Sequence, residues 1–190
     1  NFKFPQVFRT NLGIDKQLGN GFAGTVDILY TKDINAVKMR NFNLNAPNAT
    51  LTGLDKRKSF AASADRLLYP NLGEDVVLEN TKKGYSFSAT AQISKTFSKG
   101  FYGSLAYTYT LATEISPNPG SRATSAWESI SNVGTPNEEE LYYSSYAIPH
   151  RVSGKLSYRI EYAKHFASTR SLFYEGASQF NYSFVVGADI

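Results

Sequence analysis

The side chains alternate between apolar and polar over segments that are long for a globular protein. In the clearest segment, 152–162, the even positions include Val152 and Leu156, while the odd positions include Lys155 and Arg159. The same period of two occurs in five further segments, which are 8–15, 22–31, 85–94, 101–112 and, with an interruption at Arg170, 166–186. A period of two is typical of β-strands whose two faces meet different surroundings. We therefore predict an all-β, antiparallel fold with about six long strands.

The distribution of apolar residues excludes a membrane-spanning helix. No uninterrupted apolar run exceeds three residues, whereas a spanning helix needs about 20. The mean hydropathy is -0.33. A spanning β-strand needs only about 10 residues of alternating character, and an average over the chain does not detect it. The composition is therefore compatible with a membrane that is crossed by strands.

The connections between the predicted strands are of two kinds. Those at 18–21, 98–100 and 163–165 are short, while those at 44–74 and 116–148 are long and rich in Asn, Pro, Ser and charge. A compact soluble domain rarely holds two structureless loops of that length. Short turns at one end and long loops at the other are typical of outer-membrane barrels. We predict a transmembrane β-barrel segment of the bacterial outer membrane, with short periplasmic turns and long extracellular loops.

The chain is rich in large aromatic residues, with 13 Tyr and 13 Phe. Several of them fall on the apolar faces near strand ends, where amphipathic rings would form interfacial girdles; they are Phe97, Phe101, Tyr107, Tyr109, Tyr158 and Tyr162. Alternatively, these rings form an ordinary core. The chain would then be a soluble β-sandwich or small barrel that acts as a binding module. The two hypotheses differ in whether the apolar faces point outward to lipid or converge in a dry core.

The polar faces supply the candidate functional residues of a barrel, because they would line its wet interior. The candidates for a lumen-facing role are Asp27, Thr108, Lys155, Arg159 and Glu161. A sixth candidate is Trp127, because apolar residues recur with helical spacing between 121 and 132 and predict a short helix with Ser121 as its cap. The tryptophan either contacts a ligand at the extracellular mouth or anchors the loop.

Charged clusters in the predicted loops have two interpretations each. The run Glu138 to Glu140 lacks the alternating oxygen spacing of a calcium loop, and a solvated loop is the favoured interpretation. The cluster Lys56 to Lys58 either meets lipopolysaccharide phosphates at the outer surface or is an ordinary solvated loop.

Other classes of site and partner find little support. The net charge of +4 is too small to indicate a nucleic-acid partner, and the chain has no cysteine. His150 and His165 lie at opposite ends of one predicted strand, too far apart to share a metal. The hydroxyls repeat along strand faces without a base at nucleophile-elbow spacing. We therefore expect no catalytic residue, no metal and no cofactor, and a protein that is not an enzyme.

Five segments of the chain resemble one family in the same order. They are PQVFRTNLGIDKQL (5–18), ILYTKDINAV (28–37), ENTKKGYSFSATAQISKTF (79–97), YGSLAYTYT (102–110) and HRVSGKLSYRIEYAKHFASTRSLFYEGAS (150–178). These segments are similar to the C-terminal barrel portion of TonB-dependent outer-membrane receptors of the Oar-like branch. The similarity extends over nearly the whole chain.

The resemblance implies a fold, a function and partners. Such receptors are closed barrels of about 22 antiparallel strands around an N-terminal plug, and they import a ligand with energy delivered through TonB. The resemblance implies that residues 1–190 form a partial barrel domain, a fragment without the plug and the remaining strands. The implied partners are outer-membrane lipid, TonB through the missing plug region and a surface lipoprotein. The imported ligand is not indicated.

Overall fold

The computed structural model describes residues 2–54, 56–117, 120–130, 132 and 134–182. Its strands are β1 (Gln6–Gly19), β2 (Phe22–Asn41), β3 (Ala49–Thr50), β4 (Lys58–Ser59), β5 (Val76–Thr81), β6 (Tyr85–Ser98), β7 (Phe101–Glu114), β8 (Tyr142–Tyr143), β9 (His150–Tyr162) and β10 (Phe166–Ala177). A 3₁₀ turn spans Ser63–Arg66, and α1 spans Ala123–Glu128. Among the described residues, no helix has the length and apolar character needed to traverse a bilayer.

The long strands form one antiparallel sheet in the order β1-β2-β6-β7-β9-β10. The short strand β5 pairs with β2, β8 pairs with β7, and β3 and β4 form a separate two-stranded sheet. Six of the strands have 12 to 20 residues. The predicted all-β, antiparallel fold with about six long strands is confirmed.

The sixth strand ends earlier than the alternation predicts. β10 stops at Ala177, which is paired with Arg151 at the start of β9. The partner strand β9 begins at His150, so the pairing stops there. The last backbone hydrogen bond between the two strands joins the Ser178 amide to the His150 carbonyl at 2.8 Å. The later alternating residues Phe184 and Val186 lie outside the described part of the chain.

Three tight turns connect the long strands at one end of the sheet. The first contains Asn20 and Gly21 at φ of 52° and 78°, and the second contains Lys99 and Gly100 at 51° and 80°. The third spans residues 163–165, with Ala163 at φ 52°. Consecutive left-handed residues match the twist of a β-hairpin. The register is continuous up to the third turn, while β1 shifts between Gln17 and Gly19 and β6 between Lys95 and Ser98, just before the first and second turns. The predicted short turns are confirmed, and we call this the turn end of the sheet.

The apolar sets of neighbouring strands lie on one face of the sheet. Register partners across five strands are Ile14, Val26, Ala91, Tyr107 and Val152. Partners in an antiparallel pair share a face, so the alternation of every long strand is in phase with that of its neighbours. The result is one continuous apolar face.

This apolar face is open, and the soluble alternative is wrong. Leu105, Leu156 and Ile160 are 53%, 49% and 44% exposed. A sandwich would cover these side chains with a second sheet. Among the described residues the second sheet consists only of the short strands β3 and β4. The exposed apolar face and the opposite polar face are the arrangement of a barrel wall between lipid and a wet interior.

Aromatic side chains lie toward both ends of the sheet. At the turn end, the rings of Tyr162 and Phe166 stack with centroids 6.3 Å apart. At the other end, Tyr107 and Tyr109 both contact His150, with ring centroids 6.2 Å and 5.4 Å apart. The predicted position of Phe97 on the apolar face is wrong.

A register shift between Lys95 and Ser98 moves Phe97 off the predicted face. Two residues of β6 there oppose one residue of β7, so the simple alternation is broken. The Phe97 ring lies 5.5 Å from that of Tyr102, whose partner Ser157 belongs to the polar set. Phe97 therefore belongs to the polar side of the turn end.

The long loops fold together into a separate layer at the end opposite the turns. β2 has 20 residues, of which Phe22 to Lys32 pair with β6 and Ala36 to Asn41 pair with β5. The described residues of 36–81 and 115–149 form this layer, which we call the loop domain. Its small core contains Met39, Ala126 and Trp127, with Leu44 and Val76 packed against it. The long loops are where the sequence predicts them, but they are folded rather than structureless.

The helix α1 lies inside the segment predicted to be helical, but its cap is different. Arg122 occupies the N-cap position in an extended conformation, and no side chain caps the helix. Ser121 precedes that position by one residue, so the prediction of Ser121 as the cap is wrong. Only one turn and a half of helix is formed, and packing of Ala126 and Trp127 in the loop-domain core holds it in place.

Candidate functional site

The polar face of the sheet carries a row of functional groups across its centre. Asp27 on β2, Thr90 on β6, Thr108 on β7 and Arg151 on β9 are successive register partners. The Thr90 and Thr108 hydroxyls are 3.0 Å apart. Asp27 Oδ1 accepts a hydrogen bond of 3.0 Å from Asn11 Nδ2 on β1. The structure thus places two of the candidate residues, Asp27 and Thr108, in one cross-strand row that faces the barrel interior.

Further polar pairs extend this row toward both ends of the sheet. The pairs are Thr25 donating to Asp15 at 2.6 Å, Arg9 donating to Thr31 at 3.1 Å, Ser157 with Ser171 at 2.8 Å and Arg151 with Glu175 at 2.5 Å. Each pair joins neighbouring strands, so the polar face is held in a fixed arrangement of charges and hydroxyls. Sequence reasoning assigned Arg9, Asn11 and Asp15 to this face by their alternation but did not select them as candidates. Their cross-strand pairing was the missing information.

The other three strand candidates lie nearer the turn end of β9. Arg159 Nη2 is 3.1 Å from Glu161 Oε1, and both side chains are more than half exposed. Lys155 Nζ lies 5.7 Å from the centre of the Tyr102 ring. Arg159 and Glu161 also border a groove of about 450 Å³ together with Phe97, Lys99 and Gly100. This wide, exposed groove beside the periplasmic turns is separated from the central row by much of the length of β9.

The remaining candidate, Trp127, does not face the barrel. Its side chain is 2% exposed in the loop-domain core. Its Nε1 donates a hydrogen bond of 3.1 Å to Asn137 Oδ1. The tryptophan anchors the loop, and the alternative of a ligand contact at the extracellular mouth is wrong.

The partner of Trp127 forms an unusual bridge between the two long loops. Asn137 Oδ1 accepts a hydrogen bond of 2.8 Å from the Asn41 amide, and Asn137 Nδ2 donates one of 2.9 Å to the Asn41 carbonyl. The side-chain amide thereby pairs with the end of β2 as a neighbouring strand would. Asn41 is 1% exposed. Sequence reasoning missed this bridge because its two residues are 96 positions apart and neither belongs to a periodic pattern.

A cluster of ion pairs also joins the two loops. Glu139 lies 3.1 Å from Lys38 Nζ and 3.5 Å from Lys83 Nζ, and the Thr81 hydroxyl donates to it at 3.3 Å. We call these four residues the loop latch. Partial burial raises the pKa of Glu139, but the hydrogen bond and charge of Lys38, the charge of Lys83 and the Thr81 hydroxyl outweigh it, so the pKa is lowered overall.

Neighbouring charges extend the contact between the loops. Glu138 pairs with Lys58 at 3.2 Å. The interpretation of the Glu138 to Glu140 run as a merely solvated loop is therefore wrong for its first two residues. Because its ammonium is paired with Glu138, Lys58 belongs to the same inter-loop contact. The proposal that the Lys56 to Lys58 cluster meets lipopolysaccharide stays a prediction.

Histidine positions indicate structural contacts. The Tyr107 hydroxyl and His150 Nδ1 are 2.7 Å apart, at the loop end of the apolar face. His165 belongs to the tight turn, where its amide donates to the Ala163 carbonyl at 2.7 Å. Within the part of the chain that the structure describes, no three His, Asp or Glu side chains are grouped so that they could hold a metal ion.

Of the comparisons with known proteins, one returned a match, and it agrees with the architecture of a barrel wall. Neither the curated proteins nor the solved structures gave a match to the chain. A profile described as an outer membrane beta barrel domain matches residues 1–186, which is nearly the whole sequence. The protein is located in the bacterial outer membrane, and the chain belongs to the outer membrane beta barrel domain family.

Proposed function

We propose that the chain is part of the barrel of a TonB-dependent receptor, which takes up a ligand across the outer membrane with energy supplied from the inner membrane. The observation that carries this proposal is the combination of a charged, hydrogen-bonded polar face with a folded loop domain above it. A receptor needs both, because a ligand must first be held at the cell surface and then pass along a polar wall. The family resemblance of the five sequence segments supports the same function.

The dimensions of the sheet also favour a large barrel. Six long strands in linear order leave β1 and β10 as edges among the described residues. The smallest outer-membrane barrels have about eight strands. A wall of this kind fits as one sector of a wider barrel, in which Asp27, Thr108 and Arg151 line a passage rather than fill a tight core.

The proposed partners follow from the proposed function. Outer-membrane lipid covers the apolar face, TonB contacts a plug region, and a surface lipoprotein covers the loop domain. We propose a transport role without catalysis, a metal or a cofactor, and without a nucleic-acid partner.

The test uses the full-length protein that contains this chain, purified in detergent. It is mixed with the purified periplasmic domain of TonB from the same organism, and the bound fraction is measured by pull-down. We expect binding that a peptide with the receptor's N-terminal TonB-contact sequence displaces. The absence of displaceable binding would refute energised uptake, and ion conduction through the unplugged protein in a planar bilayer would then indicate a passive channel.

A further inference from the structure

The apolar face carries an unusual set of charges at its turn end. Lys16, Lys95 and Arg170 are register partners of Gly24, Phe22 and Tyr158, all of which belong to the apolar sets. The described acidic residues nearest the turns belong to the polar face: Asp15 accepts from Thr25, and Glu161 pairs with Arg159. Among the described residues, the charged side chains of the lipid-facing surface at this end are therefore all cationic.

Arg170 differs from Lys95 in its surroundings. Lys95 Nζ donates to the Asn20 carbonyl at 3.2 Å and lies 4.2 Å from the centre of the Phe22 ring, so its charge is already engaged in the turn. Arg170 makes no ion pair or side-chain hydrogen bond with any residue that the structure describes. Its guanidinium has five donors, and a lipid phosphate at the bilayer interface can accept from several of them.

A groove of about 260 Å³ lies directly beside Arg170. Its apolar lining is formed by Phe101, Leu156, Tyr158 and Leu172, from three adjacent strands. These four side chains are between 39% and 67% exposed. The groove thus joins a cation that has no ion pair among the described residues to a mainly apolar surface that also includes Ser157 and Ser171.

The depth of this groove in the membrane defines the partner. The short turns are the periplasmic end of an outer-membrane barrel, and aromatic residues at strand ends mark the headgroup level. At that level a long basic side chain extends its charge to the phosphates while its stem stays among apolar groups. The leaflet on this side is the one that faces the periplasm, so the anion there is a glycerophospholipid headgroup.

We propose that Arg170 and this groove form a binding site for one anionic phospholipid of the periplasmic leaflet. The guanidinium binds the phosphate with two parallel hydrogen bonds. One acyl chain lies over Leu156 and Leu172, between the rings of Phe101 and Tyr158. The site is independent of TonB and of the ligand that the barrel transports.

The test measures lipid binding to the full-length protein in detergent by native mass spectrometry. The probes are phosphatidylglycerol and phosphatidylcholine with identical palmitoyl and oleoyl chains. We expect one phosphatidylglycerol to bind in preference to phosphatidylcholine. The Arg170→Gln variant should bind it about tenfold more weakly, as expected for the loss of a charge-assisted hydrogen bond. Arg170→Lys should weaken phosphatidylglycerol binding by less than Arg170→Gln does.

The controls separate a built site from general attraction to a basic surface. Lys95→Gln removes a cation of the same face away from the groove and should leave the preference unchanged. Millimolar inorganic phosphate should not displace the lipid, since it lacks the acyl chains. An equal loss in R170Q and K95Q, displacement by phosphate, or no preference for phosphatidylglycerol would overturn the proposal.

A last variant tests the apolar part of the site. Leu172→Gln leaves the charge in place and should weaken phosphatidylglycerol binding, and unchanged binding would contradict the proposed path of the acyl chain. Heat-modifiable migration on a gel confirms that each variant is folded. If R170Q does not fold, R170K and L172Q still decide the question, because the proposal requires both to bind more weakly than the unmodified protein.

Discussion

Leu105 and Ala106 are adjacent in β7, yet the side chain of Leu105 faces lipid and that of Ala106 faces the wet interior of the barrel. Leu105 is 53% exposed on the apolar face and is the partner of Ile93 and Gly154. Ala106 is the partner of Gln92 and Ser153 on the polar face. Because only the first position is in contact with lipid, the same substitution should have different effects at the two positions.

Leu105→Arg is expected to lower the free energy of unfolding by about 2–4 kcal/mol, the cost of an arginine at the lipid-facing midplane. Ala106→Arg, the control, should lower it by much less because its charge is hydrated in the interior. Urea unfolding of the full-length protein in lipid vesicles measures both values. Equal destabilisation by the two variants would contradict the assignment of the faces.

Asn137 is a second residue whose substitution should have a large effect on stability. Its amide makes three hydrogen bonds, two to the backbone of Asn41 and one to Trp127. Asn137→Ala removes the acceptor of the Asn41 amide and of Trp127 Nε1, at a cost of about 1–3 kcal/mol for each donor, while the Asn41 carbonyl still accepts from the Leu44 amide at 3.4 Å. We expect faster hydrogen exchange at the end of β2.

The matched control for this prediction is Asn132→Ala. Asn132 is in the same loop, but the one hydrogen bond of its amide among the described residues is to the nearby Ile130 carbonyl, at 2.8 Å. Asn132→Ala should leave hydrogen exchange at the Asn41 amide unchanged. If N137A exchanges at that position as slowly as the unmodified protein, the bridge between the loops contributes nothing to the loop domain.

Among the elements, the strands in the membrane could be predicted and those above it could not. Between residues 22 and 31 one face meets lipid and the other water, so the sequence alternates. Beyond Lys32, both faces of β2 meet water or the loop domain, and Lys38 and Met39 follow each other without a consistent period. The upper half of β2 and its partner β5 therefore have no periodic pattern.

The same reasoning explains which parts of the candidate site were predictable. Membership of the polar face follows from alternation alone, as for Asp27 and Thr108. The row that joins them depends on the register of β2, β6 and β7. The turn at 99–100 helps to set the register of one of these pairs, β6 with β7. The loop latch combines Lys38, Lys83 and Glu139 from distant segments, and no local pattern connects them.

The loop latch should respond to acid. A group whose folded pKa is lowered stabilises the fold above its unfolded pKa, and that stabilisation disappears as the pH falls through the folded value. The pKa of Glu139 lies below its ordinary 4.5. The contact between the loops is therefore expected to be intact above pH 4.5 and to weaken below it.

Limited proteolysis of residues 115–149 across this pH range measures the effect. Glu139→Gln should be cleaved faster than the unmodified protein at neutral pH and should depend less on acid. Glu140→Gln is the control, because Glu140 is an exposed neighbour outside the latch. A protein whose cleavage is as slow at pH 3.5 as at pH 7 would show that the latch does not hold the loops.

For the molecule as a whole, the decisive feature is that the described strands form a sheet with two edges, β1 and β10. Every residue of β1 is exposed, and nearly every residue of β10 is exposed as well. Unpaired strand edges offer free backbone donors and acceptors, which hydrocarbon cannot satisfy. The 190 residues refolded alone into detergent are therefore expected not to give a heat-modifiable monomer.

The comparison for this prediction is the full-length protein, which should migrate faster unboiled than boiled. Size-exclusion chromatography of the isolated 190 residues should show assemblies in which edges pair with other copies. A stable, monodisperse monomer would mean that β1 and β10 meet directly, in a barrel smaller than any proposed above.

The length of β2 has a mechanical consequence. At about 3.3 Å per residue, its 20 residues extend for about 66 Å, roughly twice the thickness of the hydrocarbon layer. A single backbone therefore runs from the periplasmic turn to the core around Met39. A pull on the loop domain loads this backbone and shears the hydrogen bonds of its neighbours, without a flexible linker to absorb it. The loop domain and the barrel wall are therefore mechanically coupled, and a force applied to the loops at the cell surface is transmitted to the wall.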